Sequence, residues 1–116
     1  MGLDMYLYEK MIDVKNYKPV ADWRKANQIH GWFVDNVQSG NDDCKIYNVS
    51  GEQLRGLLSL CEKALETKDP TLLPPREGFF FGSYDIDESY WEDIEKTVEV
   101  LSKLDLSKNY IYEASW

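Results

Sequence analysis

Hydrophobic and polar positions change their period several times along this chain, and each change marks an element. Leu3, Met5 and Leu7 alternate with Asp4, Tyr6 and Tyr8, the period of two that predicts a strand with one apolar face. Its second face is aromatic rather than charged, so it is either covered or used. Lys10 to Lys18 has no clean period and ends at Pro19, as a connector or irregular strand would. From Ala21 to Gln38, Trp23, Ala26, His30, Phe33, Val34 and Val37 recur at helical spacing. This predicts the first helix, with Pro19 just upstream and Ser39-Gly40-Asn41 as its stop. Gly31 inside it would cost about 1 kcal/mol relative to Ala, a hint that a neighbour packs closely there.

Cys44 to Val49 is a short strand candidate that runs into the sharpest local signal of the chain. Ser50 is followed three residues later by Gln53, with Val49 and Leu54 flanking them, a capping box with a hydrophobic staple. Leu54, Leu57, Leu58, Cys61 and Leu65 then form the apolar stripe of a second helix ending near Thr67. Asp69-Pro70 and Pro74-Pro75 bracket a linker, since residues before proline are pushed away from helix. Phe79-Phe80-Phe81, closed by Gly78 and Gly82, suits a short strand buried on both faces. A third helix follows, capped by Asp85 or Asp87, with Tyr90, Ile94, Val98, Leu101 and Leu104 inward and Trp91 at the edge. Asn109 to Trp116 closes the chain as a strand.

Strands and helices thus alternate from end to end, and the predicted class is α+β: a small three- or four-stranded sheet covered by three helices. A chain of 116 residues, 43% hydrophobic and 29% charged, is large enough for one self-sufficient domain over 1–116. No apolar stretch approaches the roughly 18 residues that span a bilayer, and the N-terminus lacks a basic region followed by an apolar core. A cytoplasmic protein without a membrane segment is therefore expected, with Cys44 and Cys61 as reduced thiols.

Charge narrows the partners. The formal net charge is −8, which disfavours direct contact with nucleic acid, because binding a polyanion depends on Lys and Arg. It favours a basic protein surface instead, or serves solubility. Seven acids between Asp85 and Glu99 face the single base Lys96, a local net of −6. Within them Glu88, Glu92, Glu95 and Glu99 share one helical stripe, laced by Glu92 with Lys96 and Glu99 with Lys103. With Trp91 beside it, this stripe is the candidate partner-binding face. The 14% aromatic content exceeds what a small core needs, and surface Trp and Tyr commonly anchor interfaces. A homodimer contact would use them equally well.

Other chemistry is thinner. His30 shares its helix face with Trp23, Asn27 and Phe33, and Trp23, Asn27, His30 and Trp32 are the alternative site, a pocket for a small molecule or nucleotide-like signal. Pairing of His30 with Cys44 would make a nucleophile and base, though no local signature activates Cys44. Asp85-Ile86-Asp87-Glu88 lacks the spacing of a calcium loop, and its acids are accounted for by the helix dipole. Gly82-Ser83 has no following Lys to complete a phosphate cradle. No metal, cofactor or catalytic residue is expected.

Three stretches together are similar to a known group: Met1-Gly2-Leu3-Asp4-Met5-Tyr6-Leu7-Tyr8, Trp23-Arg24-Lys25-Ala26-Asn27-Gln28-Ile29-His30-Gly31-Trp32-Phe33, and Gly78-Phe79-Phe80-Phe81-Gly82-Ser83. They resemble a family of small uncharacterised proteins of bacteriophages and prophages. The resemblance carries no catalytic or cofactor residue. It implies a protein working inside a bacterial host cell, of the kind that inhibits host machinery by binding, as anti-CRISPR and other anti-defence proteins do.

Overall fold

The computed structural model describes residues 3–10, 19–75 and 86–115. Most of the connector expected at Lys10–Lys18, the Phe79–Phe81 strand and the cap candidate Asp85 lie outside the described residues. Strands β1 (Asp4–Glu9), β2 (Pro19–Arg24), β3 (Tyr47–Ser50) and β4 (Asn109–Ser115) form one antiparallel sheet in the order β2-β1-β4-β3. With helices α1 (Asn27–Asn36), α2 (Gly51–Thr67) and α3 (Glu88–Ser102), the class is the α+β one that the sequence predicts.

The alternation of β1 has a direct structural meaning. Met5 pairs with Trp23 and Ala114, and Leu7 with Ala21 and Tyr112, so these side chains stand on one face of the sheet. Ile29 and Phe33 of α1, Leu54, Leu57 and Cys61 of α2, and Ile94 and Leu101 of α3 join them in one buried cluster. Phe33 lies flat on Tyr112, with ring centroids 3.7 Å apart. Asp4, Tyr6, Tyr8, Asp22, Arg24 and Glu113 occupy the other face, where Tyr6 and Tyr8 are half-buried and their rings lie 6.3 Å apart.

The expected first helix, Ala21 to Gln38, is two elements. Its first part is β2, an edge strand, and the edge tolerates Pro19 as first residue. Ala21 and Trp23 are buried and Asp22 and Arg24 exposed, a period of two hidden inside an apparent period of three and four. Lys25 then takes a left-handed backbone, φ 56°, and donates its N–H to the Leu3 carbonyl at 2.7 Å. Helix α1 opens on Ala26, which offers no side-chain cap, so no local signal marked the true start. At its end Ser39 and Gly40 have positive φ, as the stop signal implied.

Local chemistry fixes the other helices. Ser50 Oγ accepts from Gln53 N at 3.1 Å and Gln53 Oε1 accepts from Ser50 N at 2.9 Å, the expected capping box of α2. Gly51 packs against the turn before β4: its N–H donates to the Lys108 carbonyl at 3.0 Å, and a methyl there would be driven into the Leu106 carbonyl. Helix α3 is capped by Asp87, whose Oδ1 accepts from Tyr90 N at 3.1 Å. Tyr90, Ile94, Thr97 and Leu101 are its buried row, and Trp91 is half-buried at the edge with the Lys68 ammonium 5.0 Å from its ring. Among the described residues no helix is long and apolar enough to cross a membrane.

Candidate binding surfaces

Helix α3 presents two different faces around its buried row. At 3.6 residues per turn, Glu88, Glu92, Glu95 and Glu99 fall on a narrow stripe opposite Tyr90, Ile94, Thr97 and Leu101, and all four glutamates are exposed. Lys103 answers Glu99 at 3.3 Å, as expected, whereas Lys96 turns to Asp22 of β2 at 3.9 Å rather than to Glu92. Among the described residues the stripe is therefore weakly compensated. Trp91 flanks it, meeting Tyr90 edge to face at 4.8 Å between centroids.

The four residues of the alternative pocket are not brought round one opening. Trp23 is buried, and its indole Nε1 donates to Thr97 Oγ1 at 2.8 Å, tying β2 to α3. His30 is fully buried, with Nε2 2.8 Å from Asp42 Oδ1 and Nδ1 2.7 Å from the Tyr112 hydroxyl. A carboxylate only accepts, so Nε2 carries a proton and donates to Asp42, while Nδ1 shares a hydrogen bond with the Tyr112 hydroxyl. Burial, helped by the charge of Asp42, holds the Tyr112 phenol well above its ordinary pKa. This chain of three groups pins the loop after α1 to the sheet. Cys44 lies exposed on that loop, with a left-handed backbone of φ 58°. Cys61 is buried, and desolvation pushes its thiol up to about 12, which makes it an inert core residue.

Asn27 and Trp32 line separate hollows. Trp32 borders one of about 480 Å³ between α1, α2 and residues 72–75. Asn27 borders a cleft of about 340 Å³ between the β2–α1 turn and the start of α3. Arg24 and Lys25 stand on the turn side of that cleft, Glu92 and Asp93 on the α3 side, and Asn27 and Gln28, both buried, belong to the adjoining first turn of α1. Gln28 Nε2 donates to the Tyr90 carbonyl at 3.0 Å, and its side chain also hydrogen-bonds Asp93. Asp93 is half-buried. Desolvation raises its carboxyl to about 6, against the opposing pull of the Gln28 hydrogen bond and Lys96 and with help from Glu92 and Asp87.

Asp93, Gln28, Arg24 and Lys25 were not singled out from sequence. The signal for Asp93 was present in the spacing: it is the acid of α3 that falls off the 88, 92, 95, 99 stripe and so turns toward the core side. Among the described residues no group of three or more metal-ligating side chains converges. Comparison with protein-family models, curated proteins and solved structures finds no match to this chain.

Proposed function

We propose that this chain is a small acidic binding protein of bacteriophage type, working in the cytoplasm of a bacterial host and inhibiting or modulating a host protein by occupying its basic surface. The observation that supports it is the stripe of Glu88, Glu92, Glu95 and Glu99, four exposed carboxylates on one face of α3 with Lys103 as their close counter-ion. Carboxylates in a row repel one another at some cost to the isolated fold. Their benefit lies in steering encounter with a complementary basic patch and in setting specificity. Trp91 at the edge supplies the apolar contact that charge alone lacks.

The test is affinity capture from a bacterial lysate with the wild-type chain and with E88K/E92K/E95K/E99K, at low and high salt. A stoichiometric basic protein held by the wild type, released by salt and missed by the variant is the expected result. Equal capture by a variant that retains its fold contradicts the proposal. A second reading, a small-molecule binding or sequestering protein, is favoured by one observation, the polar cleft between the β2–α1 turn and α3.

A further inference from the structure

We infer that the outer edge of β2 takes an extended basic segment of the partner as an added strand, antiparallel to β2, with alternate Lys or Arg side chains laid against α3. The inference rests on the basic-partner reading and names the element by which that partner binds. The sheet order leaves β2 and β3 as its edges. What each edge offers follows from the pairing. Lys25 donates its N–H to the Leu3 carbonyl at 2.7 Å, so in the ladder with β1 the backbone groups of Trp23 and Lys25 point toward β1 and those of Asp22 and Arg24 point outward. Among the described residues nothing pairs with the backbone of Asp22 or Arg24. Each therefore presents a donor and an acceptor at strand spacing, the template on which peptides add to a sheet. The β3 edge offers less, being four residues long with the Ser50 amide already donating to Gln53 Oε1 at 2.9 Å.

Charge decides which strand fits. Helix α3 runs beside the β2 edge: the Trp23 indole reaches Thr97 at 2.8 Å, Lys96 reaches Asp22 at 3.9 Å, and Glu92 and Asp93 stand across the cleft from Arg24 and Lys25. Glu92 and Glu99 lie one turn to either side of Lys96, and both are exposed. Side chains of an added strand alternate between the two faces of the sheet, so every second one passes Glu92, Asp93 and Glu99. Basic residues belong there. On the other face Arg24 already meets Asp4 at 3.8 Å, which suits neutral polar residues. The Lys96–Asp22 contact crosses the edge, but its side chains are 46% and 72% exposed, and a surface pair of that kind yields at little cost. A second copy of β2 is the poorer occupant, because two-fold pairing would set the acids of one α3 beside those of the other.

Amide chemical shifts and hydrogen exchange of the isotope-labelled chain test this, with acetyl-Thr-Lys-Thr-Lys-Thr-Lys-Thr-amide as the probe. At millimolar concentration the peptide is expected to shift the amides of Asp22 and Arg24 together with those of α3 near Glu92 and Glu99, and to slow exchange at Asp22 and Arg24. E92Q/E99Q should weaken binding roughly threefold to tenfold. N-methylation of the Thr residues, whose amides face β2 in this register, should weaken it roughly tenfold or more, and N-methylation of the Lys residues, whose amides face away, by less than about twofold. If the peptide moves α3 amides alone, or both methylated peptides bind equally well, strand addition is overturned while the basic-partner reading stands. Slow exchange at Asp22 and Arg24 that grows with protein concentration in the absence of peptide would assign the edge to a second copy and also overturn it. A peptide that shifts none of these amides refutes the inference, and lysate capture then decides the basic-partner reading separately.

Discussion

Asp93→Asn should make the protein more stable at neutral pH, an unusual expectation for removing a hydrogen-bonded carboxylate. In the native state the carboxyl is raised from the ordinary 3.8 to about 6, chiefly by burial. As pH rises, the unfolded chain releases this proton first and the native state holds it longer. Stability is therefore lost between about pH 4 and pH 6 and stays lost above. About two pH units at about 1.4 kcal/mol each set a ceiling of about 3 kcal/mol. Solvent reaches the half-buried group and screens it, leaving about 1 to 2 kcal/mol. Asn keeps an oxygen for the Gln28 amide and carries no charge to desolvate. Urea unfolding followed by tryptophan fluorescence at pH 8 should show D93N more stable by that amount, or by about 4 to 10 °C in Tm, and the difference should vanish near pH 3.5. A D93N that is less stable at pH 8, or a gain that does not depend on pH, would refute the reasoning.

Three further outcomes follow from the packing. Gly51→Ala forces a methyl into the Leu106 carbonyl and to within 2.8 Å of the Lys108 carbonyl oxygen, and should lower stability by about 1 to 3 kcal/mol, read as a reduced urea midpoint. Tyr112→Phe keeps the stack on Phe33 but removes the hydroxyl that hydrogen-bonds His30 Nδ1; it should cost about 1 to 3 kcal/mol and speed hydrogen exchange in the loop after α1. Iodoacetamide should label exposed Cys44 in the native protein and buried Cys61 only after unfolding, as mass spectrometry of the peptides would show.

What could be read from sequence was what is written locally. The Ser50–Gln53 box, the Asp87 cap and the alternation of Leu3, Met5 and Leu7 each concern residues within a few positions of one another, and each stands in the structure. Residues 21–24 misled because Trp23 and Ala26 face the same core as His30 and Phe33, although a left-handed Lys25 and an uncapped helix start separate the strand from the helix. Tertiary pairing with β1, invisible in the sequence, outweighed the apparent helical period. The cleft was hidden for the same reason: Arg24 and Asp93 are 69 positions apart, and only the approach of the β2–α1 turn to α3 makes them neighbours of one hollow. The acidic stripe, confined to one helix, was visible from the start.

The most direct test of the proposed docking face is site-specific photocrosslinking in bacterial cells. A photoreactive residue is placed at Glu95, in the middle of the α3 stripe, or at Glu62, exposed on α2. A crosslink is expected from position 95 to one basic host protein, weakened when the other three glutamates of the stripe become lysine, and none from position 62. A partner crosslinked from position 62 and not from position 95 would contradict it.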